Sequence, residues 1–356
     1  MSAPNRPAHR GAVSNASGRF ERHTREDFAD GWELAEDEPP PLKTEVAVDA
    51  ARTIITRNTS PDIGFDRSIN PYRGCEHGCI YCFARPTHAY LGLSPGLDFE
   101  TRLFAKPDAP KLLEAELRQP RYRPAVIAIG TNTDPYQPIE REYRIMRGVL
   151  EVLAAFDHPV TITTKSHLVT RDIDILAPMA TKGLANVSIS VTTLDRDLCR
   201  TLEPRAATPA KRLDAIRQLA AAGIPTAVLV APVIPFVTDH ELERILEAAH
   251  AAGARQAAYI LLRLPDEVKD LFGEWLDTHF PGKARHVMSL VAQARGGKAY
   301  DASWGRRFTG TGAHAELLAN RFRLAFRRLG FSPRGFALET DKFHRPPRQG
   351  DQLSLF

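Results

Sequence analysis

Five short apolar runs in the middle of this chain constrain its fold more than any other feature. They lie at Ala125–Gly130, Val160–Thr164, Val187–Val191, Thr226–Ala231 and Ala257–Leu262. Their length and composition suit strands buried in a parallel sheet. Between them the apolar residues switch to helical spacing, near 108–118, 140–156, 171–181, 208–222 and 239–252. Boundary residues support several of these predicted helices, such as Gly223 and Pro225 after the fourth and Thr238-Asp239 before the fifth. One more strand just before residue 75 would bring the count to about six β-α units. The expected class is therefore α/β, a parallel sheet covered by helices. An open, partial (β/α) barrel and a doubly wound sheet fit this periodicity equally. Further helical patterns occupy about 265–295 and 313–329, and no internal repeat is evident.

The ends of the chain differ in charge. Residues 1–50 hold six Lys/Arg against ten Asp/Glu, carry the run Pro39-Pro40-Pro41 and lack periodicity. They read as a disordered polar tail. Residues 51–300 form the expected core domain, 301–345 a helical basic extension and 346–356 a flexible tail. Within 321–350 eight Lys/Arg face two Asp/Glu. Arg321, Arg323, Arg327, Arg328 and Arg334 are candidates to meet nucleic-acid phosphates; the alternative is a solvated helix face. No stretch reaches the roughly 18–20 apolar residues of a membrane helix. The N-terminus lacks the apolar core of a secretory signal, so a cytoplasmic protein without a membrane partner is expected.

Three of the four cysteines lie within eight residues, as Cys75, Cys79 and Cys82. Clustered cysteines in such a chain suggest a metal or redox site over a disulfide framework. Gly74 and Gly78 favour a wrapped loop over a helix. Zinc on three cysteines and a histidine, either His77 or His88, is one reading. A [4Fe-4S] cube is the other. Three thiolates would leave one of its four irons open to an outside ligand. Cys199 stands apart in a predicted helix, Arg196–Leu202, as a buried filler.

The residues after the predicted strands are polar. They read Thr131-Asn132-Thr133-Asp134, then Thr164-Lys165-Ser166, then Ser188-Ile189-Ser190, and later Glu203-Pro204-Arg205. Ligands of β-α sheets sit at such strand ends.

The C-x3-C-x2-C loop, with Tyr81 before its third cysteine, resembles the radical SAM signature. The order of strand-end segments, with the later Trp304-Gly305, is similar to the branch related to spore photoproduct lyase, as a sister group. The resemblance implies a partial (β/α)6 barrel and a [4Fe-4S] cluster on Cys75, Cys79 and Cys82. It further implies cleavage of S-adenosylmethionine to a 5′-deoxyadenosyl radical, with an electron donor such as flavodoxin or ferredoxin. Cofactor contacts would fall on Tyr81, Thr131, Thr133, Asp134, Lys165, Ser190, Glu203 and Arg205. That branch acts on a lesion in DNA, so DNA repair or modification is the implied role; RNA or protein substrates are the alternatives. One position departs. The lyase's hydrogen-donating cysteine aligns with Thr131, leaving Tyr136 or Cys199 as substitutes.

The chain ends Gln352-Leu353-Ser354-Leu355-Phe356. Exposed apolar side chains at a terminus need a partner or an internal seat. The pentamer resembles the peptide that docks on the bacterial DNA sliding clamp. The implied contacts are Gln352, Leu353, Leu355 and Phe356. A non-enzymatic zinc protein tethered to that clamp is the reading from a different class.

Overall fold

A computed structural model describes residues 10–21, 23–24 and 42–347. The strands run in chain order as β1 (Glu45–Val48), β2 (Ile55–Arg57), β3 (Arg67–Ile69), β4 (Tyr72–Arg73), β5 (Arg102–Ala105), β6 (Ile127–Ile129), β7 (Val160–Thr164), β8 (Ala185–Ser190), β9 (Thr226–Val233) and β10 (Gln256–Leu261). Seven of them form one sheet in the order β10-β9-β8-β7-β6-β3-β2. β3 and β6 to β10 are all parallel; β2 adds an antiparallel edge. The six parallel strands are those expected from the sequence, and the sheet is the open, partial barrel. The edge strand β2 and a small sheet β1-β5-β4 were not foreseen. Both are built from strands of two to four residues, too short to leave a period in the sequence.

One face of the sheet is greasy and the other is not. Ile127, Ile129, Ile162, Val187, Ile189, Val228 and Val230 are buried in a core with Leu150, Leu153, Leu176, Ile216, Leu219 and Leu246 of the covering helices. The opposite face carries small or polar side chains in register: Thr161 beside Asn186, and Thr163 beside Ser188 and Ala227. Small residues there keep the concave side open, while the convex side drives folding by burial. Among the described residues no helix is long and apolar enough to cross a membrane.

Three expectations need correction. The helix read over 140–156 is two pieces, Glu140–Tyr143 and Ile145–Ala155. Arg144, at φ 50°, separates them. The buried Glu140 carboxylate accepts from the Met146 amide and from Tyr72 Oη, and so draws the chain out of its helical path. The tail expected to be disordered over 1–50 is ordered in its described parts. Arg10 and Ala12 are buried, and residues 45–48 form β1. The extension expected to be helical over 301–345 is helical only across Ala313–Leu329. The peptide Gln352, Leu353, Leu355 and Phe356 lies outside the described residues.

Beyond that helix the chain becomes a strap under the N-terminal ends of the strands. It meets Arg255 and Gln256 before and in β10, then Gly183 before β8, Phe156 before β7 and Leu117 before β6. Phe343 anchors it, edge-on to His158 and beside Tyr122 and Phe156. His158 is fully buried; its Nδ1 donates to Pro159 O at 3.0 Å and its Nε2 accepts from Tyr122 Oη at 2.8 Å. A ring so committed has no site for a second proton. Burial, with Arg67 adding to it, lowers its pKa to about 4, against about 6.5 for a free histidine. Below pH 6.5 the unfolded chain therefore takes up a proton that the folded chain refuses. Stability should fall between pH 6.5 and 4 by up to about 1.4 kcal/mol per pH unit, and level off below. Urea unfolding of His158→Gln beside the unaltered protein checks this. An acid slope equally steep in both would remove the assignment.

Candidate active site at the cysteine loop

The cysteine loop lies at the C-terminal end of β3, over the mouth of the sheet. Its backbone is turned by Gly74 and Gly78, both left-handed at φ 73° and 64°. A Cβ on Gly74 would meet Leu103 at 2.6 Å, and one on Gly78 would meet Glu100 Oε2 at 2.7 Å. Glycine is required there by both conformation and space. Arg85, fully buried, fastens the loop from beneath. It donates to the carbonyls of Cys79, Gly78, Pro95 and Gly96, and pairs with Glu100 at 2.5 Å. Glu100 in turn accepts the Gly11 and Ala12 amides, both at 2.9 Å. The N-terminal segment thus closes over the loop, so tightly that a Cβ on Gly11 would sit 1.8 Å from Gly78 O. Gln137 joins the loop's two sides, accepting from Glu76 N and donating to Gly74 O.

Cys75, Cys79 and Cys82 are free thiols. Cys75 and Cys79 are buried and Cys82 is half-buried, between two apolar clusters. They lie close enough to act electrostatically on one another. Burial pushes all three pKa values up. As bare side chains they resist ionisation, and a metal that takes them as thiolates would displace their protons. The zinc alternative needs a histidine as fourth ligand. His88 Nε2 is instead 2.9 Å from Arg102 O, and His77 Nδ1 lies 3.4 Å from Asp134 Oδ2. Both histidines are buried, and the Nδ1 atom of each is without a hydrogen-bond partner among the described residues. Three thiols on a glycine-turned loop fit an iron–sulfur cube with one open corner.

The strand-end residues gather around the loop in three groups. In the first, Lys165 Nζ donates to Ser190 Oγ at 2.7 Å and to Ala231 O at 3.3 Å, and stands 3.6 Å from Glu203 Oε1. It also lies over the Tyr81 ring at 5.8 Å. Tyr81 Oη donates to the Glu203 carboxylate, which also accepts from Thr192 Oγ1 at 2.8 Å and pairs with Arg212. Burial works to raise the Glu203 pKa, but Arg212 and Lys165 outweigh it and hold it at about 2. In the second, Asp134 accepts from Thr164 Oγ1, Tyr136 N and Lys165 N at 2.7, 2.9 and 2.7 Å. Burial opposes its charge, yet His77 and these donors keep its pKa below the usual range. In the third, Arg205 pairs with Glu76 at 2.9 Å, and Thr44 donates to the same carboxylate oxygen at 2.6 Å.

Every strand-end candidate thus lies at one end of the sheet, but their duties differ. Thr133 is buried and donates to Tyr72 O at 3.0 Å. It and Asp134 hold the frame. Thr131 and Asn132 are half-buried beside Asn70. Neither substitute hydrogen donor is available at the mouth. Tyr136 Oη is buried on Asp172 at 3.1 Å. The Cys199 thiol is buried between Glu203 and Arg212, with its pKa pushed up to about 12 by burial and the neighbouring Glu203 carboxylate. Sequence reasoning missed Arg85, Glu100, Arg212 and the segment at Arg10–Ala12. The basic helix is also less free than expected: Arg321 and Arg328 pair with Glu243 and Glu247.

The family model of the radical SAM superfamily matches residues 69–249, from the end of β3 through the helix before β10. The chain belongs to the radical SAM superfamily. Membership implies S-adenosylmethionine and an iron–sulfur cluster, for which the three-cysteine loop is the fitting place. An uncharacterized protein of Mycobacterium tuberculosis is 41% identical over 219 residues, 61% of this chain and 64% of that protein's length. An uncharacterized protein of Methanocaldococcus jannaschii is 27% identical over 173 residues, 49% of this chain and 62% of that one. The matches therefore span less than two thirds of these relatives. Among solved radical SAM structures, a point variant of spore photoproduct lyase matches with a TM-score of 0.57, covering 81% of this chain and 80% of its own at 17% identity. The same lyase complexed with dinucleoside spore photoproduct matches at 0.53 with 19% identity over 81% and 80%. At that identity the likeness is one of fold.

Proposed function

We propose that this protein is a radical SAM enzyme of DNA repair or modification, holding a [4Fe-4S] cluster on Cys75, Cys79 and Cys82. The observation that carries the reading is the placement of this loop against Lys165, Ser190 and Glu203 at the C-terminal mouth of six parallel strands. When bound, the cluster and S-adenosylmethionine together supply a carbon radical able to abstract hydrogen. The chain's own residues position and shield. Lys165 presents a cation at the mouth while Glu203 and Ser190 fix its direction. Ile80, Leu202, Ile234 and Leu262 wall off one side of the loop from water. Arg205, paired with Glu76, and Thr131 and Asn132, beside Asn70, add polar groups at the same end of the sheet.

The DNA part rests on the shared fold with a lyase whose complex holds a dinucleoside photoproduct. The lyase reaction itself is not proposed, because Thr131 stands where that branch has a cysteine, and Cys199 and Tyr136 are sequestered. The C-terminal residues Gln352, Leu353, Leu355 and Phe356 are proposed to dock on a bacterial sliding clamp.

The test is an anaerobic assay of the reduced protein with S-adenosylmethionine, alone and with ultraviolet-damaged DNA, undamaged DNA or RNA. A reduced-cluster EPR signal that changes on adding S-adenosylmethionine is expected, as is 5′-deoxyadenosine release stimulated by DNA. Stimulation by RNA alone would move the substrate, and a zinc-containing, EPR-silent protein would end the reading. A chain lacking residues 352–356 should keep this chemistry and lose clamp binding.

A further inference from the structure

Beside the cysteine loop the mouth carries a guanidinium for which no hydrogen-bond acceptor stands among the described residues. Arg263 follows β10, and its guanidinium lies 4.5 Å from the ring centroid of Phe83 and 5.0 Å from that of Phe308. Phe83 directly follows Cys82 and is 45% exposed. The next guanidinium, Arg307, lies 4.7 Å from Phe308 and 4.6 Å from Trp304, whose side chain is 58% exposed. Three rings and two cations thus alternate from the cysteine loop out to solvent. The ladder is fixed in place by Arg295, which donates to the carbonyls of Leu261 and Leu262 at the end of β10 and to those of Arg306 and Arg307. A site held by so many bonds is preorganised.

The two cations are not equivalent. Arg307 pairs with Asp62 at 2.7 Å and donates to Ser60 Oγ. Arg263 is half-buried, and among the described residues no carboxylate, carbonyl or hydroxyl accepts from it. Burial lowers its pKa, and Arg307 works in the same direction against Tyr300 and Cys82. A planar cation with five donors, partly out of water and with no acceptor among the described residues, can take an oxyanion.

We propose that Arg263 grips a phosphodiester of the nucleic-acid substrate, while the open faces of Phe83 and Trp304 stack its bases. Alternating aromatic rings and arginines is how proteins track single-stranded or extruded nucleotides, because every base has a π-face and every linkage a charge. The inference rests on the nucleic-acid reading given under Proposed function and names the residues that would carry it. The same oxyanion chemistry could come from the carboxylate of S-adenosylmethionine, so the experiment has two arms.

In the first arm, a fluorescein-labelled oligothymidylate is titrated with the anaerobically purified holoprotein over a range of salt. In the second, S-adenosylmethionine binding is measured on the same preparations. Arg263→Gln should weaken oligonucleotide binding about 10- to 100-fold, the range of a charge-assisted bond. It should also shrink the salt slope by about 0.7 and leave S-adenosylmethionine affinity unchanged. Arg263→Lys should restore the salt slope without full affinity, since the stacked fork is lost. Trp304→Ala, a surface change that cannot unfold the core, should weaken oligonucleotide binding about tenfold through stacking. If Arg263→Gln lowers S-adenosylmethionine affinity and spares the oligonucleotide, the oxyanion is the cofactor's and the proposal is overturned. Oligonucleotide binding unaffected by both Arg263→Gln and Trp304→Ala would sink this inference alone. No binding by the unaltered protein would sink the nucleic-acid reading with it.

Discussion

Cys82→Ala should leave a folded protein that neither retains iron nor releases 5′-deoxyadenosine. In the proposed cluster each of the three thiolates would hold one iron, and the fourth cysteine, Cys199, is committed to Glu203 and Arg212, so no neighbour would substitute. Outer-shell partners of metal sites cost about 10- to 100-fold when lost; a ligand itself should exceed that. Cys75→Ala and Cys79→Ala should behave alike, although burial differs between the three. Cys199→Ala is the control. Its thiol is held by Glu203 and Arg212 within the protein, and its loss should leave iron content and turnover near those of the unaltered chain. Iron analysis and product release after identical anaerobic reconstitution decide the matter. Full iron retention in Cys82→Ala would refute the assignment of that thiol.

Arg212→Met should destabilise the protein by about 3–5 kcal/mol, the cost of stranding a buried charge. The pair is closed to water on both sides, at 1% exposure for the arginine side chain and 0% for Glu203. Its geometry explains why the charge survives burial. Arg212 donates to Glu203, to Ser190 O at 3.1 Å and to Ala207 O at 2.7 Å, so little of its donor capacity is wasted. Because one of those acceptors is Ser190, S-adenosylmethionine affinity should fall as well. The partner change Glu203→Gln removes the charge that Arg212 neutralises, and combining the two should cost less than the sum of the singles. Urea unfolding of both singles and the double gives the coupling. A single Arg212→Met variant within about 1 kcal/mol of the parent would show that Lys165 and Tyr81 suffice for Glu203.

The frame of the molecule was readable because burial leaves a period. β7 falls on Val160–Thr164 as the apolar run does, and the last helix on Ala313–Leu329. Lys165 and Ser190 were readable for a related reason, being polar where a strand ends. Arg212 was not. One arginine in a helix otherwise rich in polar residues looks like the solvated face, and its partner is nine positions away across a turn. Arg85 hid in the same way, and its hydrogen bonds go mainly to backbone carbonyls, which no sequence advertises. The N-terminal segment lacks apolar periodicity, and so its sequence alone predicts disorder. What orders it is the Glu100 carboxylate, roughly ninety positions away, accepting backbone amides that every residue possesses.

The strap beneath the strands sets where the chain departs. It delivers Pro346 to Arg118, beside the start of β6, while the thiols and Arg263 lie past the opposite ends of the strands. The described chain therefore ends at one pole of the barrel, and the proposed active site lies at the other. A partner captured by the last residues, as proposed, would be reached from the side of the barrel away from the thiols. Removing the tail and altering the cysteine loop would then act on opposite ends of the sheet.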